Sequence, residues 1–295
     1  LFVGNAVSFI GYQFTAVAVP VQMFDLTNSS LWVGLIGIAG LVPLLVFSLW
    51  GGAVADVRDR RTVYLASSTL MWISTGGLLL QALLGLRSPL VLLVLVMAQS
   101  AAFAVSAPTR SSMLPRLVPP DLVASANTLG FTVSNVGQVL GPLGAGLVLL
   151  HGSFAWAYGV DAALFTVAMW SAFRLPAMPP LVRTESTSRI GDLVESMRYL
   201  RSQPVLLLTF AIDIAAMVLA MPRAVFPEVA AEKFGGERAV GWLYSAIAIG
   251  AVVAGLASGW VGRVRRQGVA IVLSVVGWGL AVAAAGLAPT LWLAV

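Results

Sequence analysis

The chain has 295 residues, of which 59% are hydrophobic and 10% are charged, and its formal net charge is +5. Soluble globular domains of this length are far less apolar, so the composition excludes soluble enzymes and soluble nucleic-acid-binding proteins. The positive charge is spread over short segments between apolar runs and does not form one basic face. The composition therefore predicts an all-helical polytopic membrane protein that does not bind nucleic acid.

Long charge-poor runs alternate with short charged segments, and each run reaches the roughly 20 residues that cross a bilayer. With charges and turn residues as loop markers, we predict membrane helices at 1–24, 31–54, 62–86, 90–109, 123–150, 154–173, 204–226, 239–262 and 267–287, with a tenth beginning near 290. The chain starts inside an apolar run without Met and stops as another helix starts. We therefore expect it to be a fragment of a longer protein.

Arginine is concentrated in alternate loops, among them 58–61 and 174–203. The positive-inside rule places these loops in the cytoplasm, and the opposite loops carry only Arg87, Lys233 and Arg238 among basic residues. The chain has no cysteine, and its one histidine, His151, is interpreted as an interfacial residue and not as a metal ligand. It also lacks a phosphate-binding Gly-x-x-x-x-Gly-Lys-Ser/Thr motif. We expect no metal, no cofactor and no enzymatic activity.

The segment 174–203 interrupts the rhythm of apolar helices. It carries three prolines, followed by a stretch whose apolar positions share one face, which is typical of an amphipathic helix lying against the inner membrane face. The openings and the arginine-pair endings of 31–54 and 239–262 also match weakly, although chance similarity is an alternative. We predict a six-helix half at 1–173, a cytoplasmic linker at 174–203, and part of a second half at 204–295.

A tight charged hairpin joins the predicted helices 31–54 and 62–86. Gly52 and Asp56 close the first helix, and Arg60 and Arg61 open the second. A carboxylate at this end of a membrane helix can accept charge-assisted hydrogen bonds from arginines or from the N-terminus of a neighbouring helix. These four residues are interpreted as a conformational latch. The alternative is that the charges only set the topology.

The predicted helix 123–150 is rich in glycine. Gly137 and Gly141 are four residues apart, which permits close approach of another helix, and Pro142 removes a backbone hydrogen bond and allows a bend. Gly146 continues the row of small residues. We interpret these four residues as one functional motif, although small-residue spacing alone also serves ordinary packing.

Few ionisable residues fall inside the predicted helices. Asp213 lies about nine residues into the helix 204–226, roughly 14 Å along its axis and near the middle of the bilayer. A carboxylate there is costly unless it is protonated, paired or facing water, so Asp213 is the first candidate for a proton or substrate site. Asp161 is the second, and Arg223 is a candidate contact at the outer gate. Each could instead be a structural partner of another helix.

The hairpin at 52–61 resembles the Gly-x-x-x-Asp-Arg-x-x-Arg-Arg signature of major facilitator superfamily transporters. The row from Gly141 is similar to the Gly-Pro-x-x-Gly-Gly motif of the exporter branches, with Ala145 at the first glycine of the final pair. Further stretches resemble the enterobactin exporter branch, and they lie at 17–22, 26–35, 155–159 and 198–204. The resemblance implies the superfamily fold of two six-helix halves, with the second half truncated here.

The resemblance also implies a function. It implies efflux of a siderophore or a related amphipathic small molecule, coupled to protons, by a monomer in the cytoplasmic (inner) membrane. In this family neutral polar side chains of the first and fifth helices line the central cavity, which makes Gln13, Asn135 and Gln138 candidates for substrate contact. The predicted helix 90–109 lacks the arginine that proton-coupled drug exporters place there. A general multidrug/proton antiporter is one alternative, and a non-transporting membrane scaffold or sensor is another.

Overall fold

The computed structural model describes residues 2–151, 153–179, 198–220, 222–257 and 266–295. Within these ranges every regular element is a helix, as the composition predicts. The α-helices are α1 (Phe2–Thr27), α2 (Ser30–Val57), α3 (Arg60–Leu83), α4 (Pro89–Leu117), α5 (Val123–His151), α6 (Phe154–Phe173), α7 (Pro204–Ala220), α8 (Phe226–Lys233), α9 (Glu237–Ala257), α10 (Gln267–Leu287) and α11 (Leu291–Ala294). Short 3₁₀ turns lie at Pro120–Leu122 and Pro222–Ala224.

Two predicted helix boundaries are wrong. The helix predicted at 90–109 continues to Leu117, because Arg110 is part of the helix and donates a hydrogen bond to Asn5 of α1. The charge therefore finds a partner on a neighbouring helix and does not mark a loop. The helix predicted at 204–226 ends at Ala220, and the 3₁₀ turn and α8 follow, each beginning at or one residue before a proline.

The predicted amphipathic helix of the linker falls largely on residues 180–197, which lie outside the described residues. Residues 198–202 are described and are helical. The end of the helix predicted at 239–262 also lies outside the described residues from 258 onward.

The chain separates into two compact units. The first comprises Leu1–Pro180 and Ala224–Val252, and in it α1 packs against α5 and α6, while α4 packs against α2 and α3, and α3 against α6. Small residues such as Ala18 and Ala157 are fully buried between these helices. The second unit comprises Leu181–Arg223 and Val253–Val295, in which α7 contacts α10.

Six of the described helices are long and apolar enough to cross a membrane, by length and composition. They lie at Gly4–Thr27, Ser30–Ser48, Arg60–Leu83, Pro89–Leu117, Ser125–Leu150 and Gly268–Leu287. Large apolar side chains such as Leu31, Phe131 and Trp170 are exposed on the outer faces of these and neighbouring helices. In a bilayer such faces contact lipid, so their exposure in the isolated chain carries no cost there.

Candidate functional site

Asp59 organises the start of α3 on the face predicted to be cytoplasmic. Its Oδ1 accepts hydrogen bonds from the backbone N–H groups of Arg61 (2.8 Å) and Thr62 (3.2 Å), which makes it the N-cap of the helix. Its Oδ2 accepts from the backbone N–H of Met178 at 2.9 Å, and the backbone N–H of Arg60 donates to the Met178 carbonyl at 3.1 Å. The start of α3 is therefore joined to the chain that follows α6.

Arginine side chains extend this contact. Arg61 Nη2 donates to the Phe173 carbonyl at 2.9 Å, Arg116 Nη1 to the Pro179 carbonyl at 2.9 Å, and Arg60 Nη1 to the Ser112 carbonyl at 3.1 Å. Beneath them Leu175 and Met178 are buried with Met113 and Ala172. Arginine is suited to several carbonyl partners because its guanidinium offers five N–H donors. Residues 174–179 are thus fixed to the inner face of the first unit.

Of the four predicted latch residues, the structure describes the contacts of two. Arg60 and Arg61 bind backbone carbonyls of α4 and α6, as above. The side chain of Asp56 and the surroundings of Gly52 lie outside the described part of the chain, although both residues belong to α2. The role of these four residues as a conformational latch therefore stays a prediction.

The glycine row of α5 permits close contact with α1. A Cβ on Gly137 would lie 2.9 Å from Phe9 Cδ1, and a Cβ on Gly141 would clash with the Cβ of Gln13. Real Cβ atoms do not approach other heavy atoms so closely, so a larger residue at either position would displace the α1 side chain that it meets or move the two helices apart. Gln13, predicted to contact substrate, lies against Gly141 through the base of its side chain.

The same helix contacts α9 on another side. A Cβ on Gly241 would lie 2.8 Å from the Pro142 carbonyl oxygen and 3.0 Å from Gly146 Cα. Ser245 Oγ, one turn further along α9, donates to the Val139 carbonyl at 3.1 Å. Since Pro142 has no N–H, the helix can deform at this point, and the backbone of α9 lies directly against it.

A contact on the face predicted to be outer joins α2 to α8. Ser30 Oγ, in the first turn of α2, donates to Glu228 Oε2. α8 buries Phe226, Pro227 and Ala230, and the Phe226 ring packs edge-on against Tyr244 of α9 with ring centroids 5.2 Å apart. This short helix therefore contacts both α2 and α9 within the first unit.

Asp161 is buried among α1, α3 and α6. It is 1% exposed, and Thr15 Oγ1 donates a hydrogen bond of 2.5 Å to its Oδ2. Its Oδ1 has no hydrogen-bond partner in the described structure and lies against Gly11 of α1, where an added Cβ would be 2.8 Å away. Burying a carboxyl group is costly unless it is hydrogen-bonded, so the Thr15 hydroxyl is a stabilising partner of Asp161.

A second buried polar cluster lies nearer the outer ends of the same helices. The side-chain amides of Gln22 and Gln81 donate to each other's oxygens at 3.2 and 3.0 Å, and the Tyr158 hydroxyl donates to Gln22 Oε1 at 2.7 Å. All three side chains are buried. Buried hydrogen bonds of this kind fix the register of α1, α3 and α6.

The structure does not bring the remaining predicted proton, substrate and gate residues together in one site. Asp213 is an exposed residue of α7, and Arg223 is an exposed residue of the 3₁₀ turn after it, both in the second unit. Asn135 and Gln138 are half-buried on α5 in the first unit. No group of three or more metal-ligating side chains occurs among the residues that the structure describes.

Sequence reasoning missed three of these contacts. Asp59 had a detectable signal, because an aspartate directly before a helix is a preferred N-cap. The Gln22–Gln81 pair and the Ser30–Glu228 contact had none, since their partners are 59 and 198 residues apart in the chain. A single sequence does not show which distant polar residues meet.

Comparison with known proteins identifies the family. The family model described as Major Facilitator Superfamily matches residues 1–295. The enterobactin exporter EntS of Citrobacter koseri is 30% identical over 301 residues, which cover 99% of this chain and 70% of the exporter. The EntS protein of Escherichia coli is also 30% identical, over 300 residues, with the same two coverages.

Solved structures show the same fold at low sequence identity. The nucleoside transporter NupG has a TM-score of 0.67 at 14% identity, covering 87% of this chain and 65% of NupG. A D-xylose-proton symporter also gives 0.67 at 13% identity, covering 90% of this chain and 69% of the symporter. The predicted superfamily and its all-helical polytopic fold are confirmed. This chain belongs to the major facilitator superfamily of membrane transporters, and it is not an enzyme.

Proposed function

We propose that this chain is an exporter, which moves a siderophore-like or other amphipathic small molecule by alternating access and is driven by proton entry. The observation that carries the proposal is the 30% identity to enterobactin exporters over 99% of the chain. Those relatives are bacterial, which supports a multi-pass location in the cytoplasmic membrane. We also propose that the protein works as a monomer without a cofactor.

The organisation proposed from the sequence fits this mechanism. An N-terminal half at 1–173, a cytoplasmic linker at 174–203 and a C-terminal part at 204–295 would rock about a central substrate site. On the inner face, Gly52, Asp56, Arg60 and Arg61 form the proposed latch. The hydrogen bonds from Arg60 and Arg61 to carbonyls of α4 and α6 support a role in holding the inner ends of these helices.

The proposed outer closure uses the glycine row of α5. Gly137 and Gly141 permit contact with α1, while Pro142 and Gly146 meet the backbone of α9 at Gly241. Opening towards the outside would separate α5 from α9 and break the Ser30–Glu228 hydrogen bond. Small residues suit such a surface because they let two helices meet closely and part without reorganising long side chains.

Proton coupling is assigned to Asp213, with Asp161 as the second candidate. Asp213 is exposed in the middle of α7, and a carboxylate at that depth in a bilayer is costly unless it is protonated, paired or facing water. Asp161 is enclosed and has a hydroxyl partner, which favours a structural role alongside any proton binding. Substrate contacts are assigned to Gln13, Asn135 and Gln138, and Arg223 to the outer gate.

A general multidrug/proton antiporter is the second candidate function, because the α5 row is expected in exporters of either kind. The full-length protein should be expressed in a bacterium that makes a catecholate siderophore but lacks its own exporter. We expect siderophore to appear in the medium, without increased efflux of cationic dyes. Dye efflux without siderophore export would favour the multidrug alternative, and a normally inserted protein that exports neither would favour the scaffold or sensor.

A further inference from the structure

A cavity of about 250 Å³ opens where α1 and α3 end and α6 begins. Its lining includes Gln22, Asp25, Gln81, Arg87 and Ser153. At about 30 Å³ per molecule of liquid water, this volume is too large for a single ion and suits a small polar group. Because it lies at helix ends on the face predicted to be outer, its depth matches the headgroup level of the outer leaflet.

The floor of the cavity is a buried, hydrogen-bonded glutamine pair that still has hydrogen-bonding capacity. Gln22 and Gln81 are 5% and 2% exposed, and their reciprocal hydrogen bonds use one N–H of each side chain. A carboxamide has two N–H donors, so each glutamine keeps one for another partner. The Tyr158 hydroxyl bond to Gln22 Oε1 holds the pair in place.

The rim carries one acid and one base that do not pair. Asp25 and Arg87 both line the cavity and are exposed, and neither forms a hydrogen bond or ion pair within the described ranges of the chain. A cation at Asp25 and an anion at Arg87 would both gain charge-assisted hydrogen bonds. The two charges therefore suit a ligand that is itself zwitterionic.

Exposed apolar side chains stand beside the lining residues in the chain. Leu83, Leu84 and Leu86 at the end of α3 are 66%, 63% and 47% exposed, and Trp156 in the first turn of α6 is 67% exposed. Exposed tryptophan near a helix end is typical of the membrane interface. The ligand therefore has a polar head that fits the cavity and an apolar part that lies along these side chains.

We propose that the cavity binds the headgroup of an outer-leaflet phosphatidylethanolamine. The primary ammonium donates to Asp25, and the phosphate accepts from the Arg87 guanidinium and the free N–H groups of Gln22 and Gln81. A choline headgroup carries the same charges, but its trimethylammonium has no N–H to donate, so the site selects ethanolamine. This inference is independent of what the protein transports.

The test measures lipid retention. The protein is reconstituted in nanodiscs with equal amounts of phosphatidylethanolamine, phosphatidylcholine and phosphatidylglycerol, released into detergent, and analysed by native mass spectrometry. We expect about tenfold preferential retention of phosphatidylethanolamine over phosphatidylcholine. Asp25→Asn should remove this preference, and Arg87→Gln should weaken retention of all three phospholipids. The control variants are Glu232→Gln and Arg201→Gln, which neutralise exposed charges that do not line the cavity and should leave retention unchanged.

Three results would overturn the proposal. The first is equal retention of ethanolamine and choline lipids by the wild type, and the second is an unaltered preference in Asp25→Asn. The third is displacement of the lipid by free glycerophosphoethanolamine at equal concentration, which would show that the lipid is not the ligand. Both rim residues are exposed, so their variants should fold, and size-exclusion profiles matching the wild type verify this.

Discussion

The backbone N–H of Met178 donates a hydrogen bond of 2.9 Å to Oδ2 of Asp59, which lies 119 residues earlier in the chain. The other oxygen of the same carboxylate caps α3. One aspartate thus fixes both the start of a membrane helix and the first residues of the segment that leaves α6. Residues 174–179 therefore have a defined position on the face of the first unit that is predicted to be cytoplasmic.

Two substitutions separate these roles of Asp59. Asp59→Asn keeps an oxygen for the N-cap but places an amide N–H₂ opposite the Met178 N–H, whereas Asp59→Ala removes both contacts. Loss of an N-cap costs about 1 kcal/mol. We expect the melting temperature of the detergent-solubilised protein to fall in the order wild type, Asn, Ala. Asp121→Asn, at an exposed position between α4 and α5, is the control. If both Asp59 variants melt with the wild type, the contact does not stabilise the fold.

The α5–α9 contact predicts a sharp difference between two glycines of the same helix. Gly241→Ala would put a Cβ 2.8 Å from the Pro142 carbonyl oxygen, a backbone atom that cannot rotate away, whereas Gly250→Ala meets nothing within 4 Å. We expect Gly241→Ala to lower efflux several-fold and to reduce thermal stability. Gly250→Ala should match or slightly exceed the wild type in stability, since alanine is the better helix former. Equal behaviour of the two variants would contradict the close approach.

Asp56→Asn tests the latch without removing volume. The substitution removes the negative charge, so it should weaken charge-assisted hydrogen bonds, and we expect efflux to fall about tenfold with normal membrane insertion. Expression and insertion are checked by blotting of membrane fractions, and transport by substrate release from cells carrying the full-length protein. Wild-type efflux at matched expression would show that Asp56 is not part of a latch and that the charges of the hairpin only set the membrane topology.

The enclosed position of Asp161 makes its variants informative. Asp161→Asn keeps an acceptor for the Thr15 hydroxyl, while Asp161→Leu leaves that hydroxyl buried and unpaired, which costs about 1–3 kcal/mol. We expect Asn to fold normally with a mild effect on transport, and Leu to be clearly less stable. Adding Thr15→Val to Asp161→Leu should restore part of the lost stability, because it removes the unpaired donor. An Asn variant as unstable as Leu would show that this site requires the carboxyl group itself.

Local sequence patterns were sufficient to predict most of the helices and the family. The charge-poor runs predict α1 to α6 to within a few residues at most boundaries, because bilayer thickness sets their length. Arg110 and the chain beyond it were misassigned to a loop, since its partner Asn5 belongs to another helix. The break between α7 and α8 follows from Pro222 and Pro227, whose effect on the apolar run was underestimated.

The candidate site was less predictable. Gly137 and Gly141 were recognised from their spacing, but their partners Phe9 and Gln13 on α1 were not. The Thr15–Asp161 hydrogen bond joins residues 146 positions apart, and hydropathy does not encode such pairings. Only the packing of α1 against α5 and α6 brings these residues together.

We propose proton-driven export with Asp213 as the coupling residue. The most direct measurement is substrate accumulation in everted vesicles that contain the full-length protein, under an imposed pH gradient with the interior acidic. We expect the wild type to concentrate substrate and to lose this ability when an ionophore collapses the gradient. Asp213→Asn cannot titrate, so it should fail to concentrate substrate yet still equilibrate it downhill. Accumulation by Asp213→Asn at the wild-type rate and ratio would contradict the assignment, and wild-type accumulation that ignores the gradient would contradict proton coupling itself.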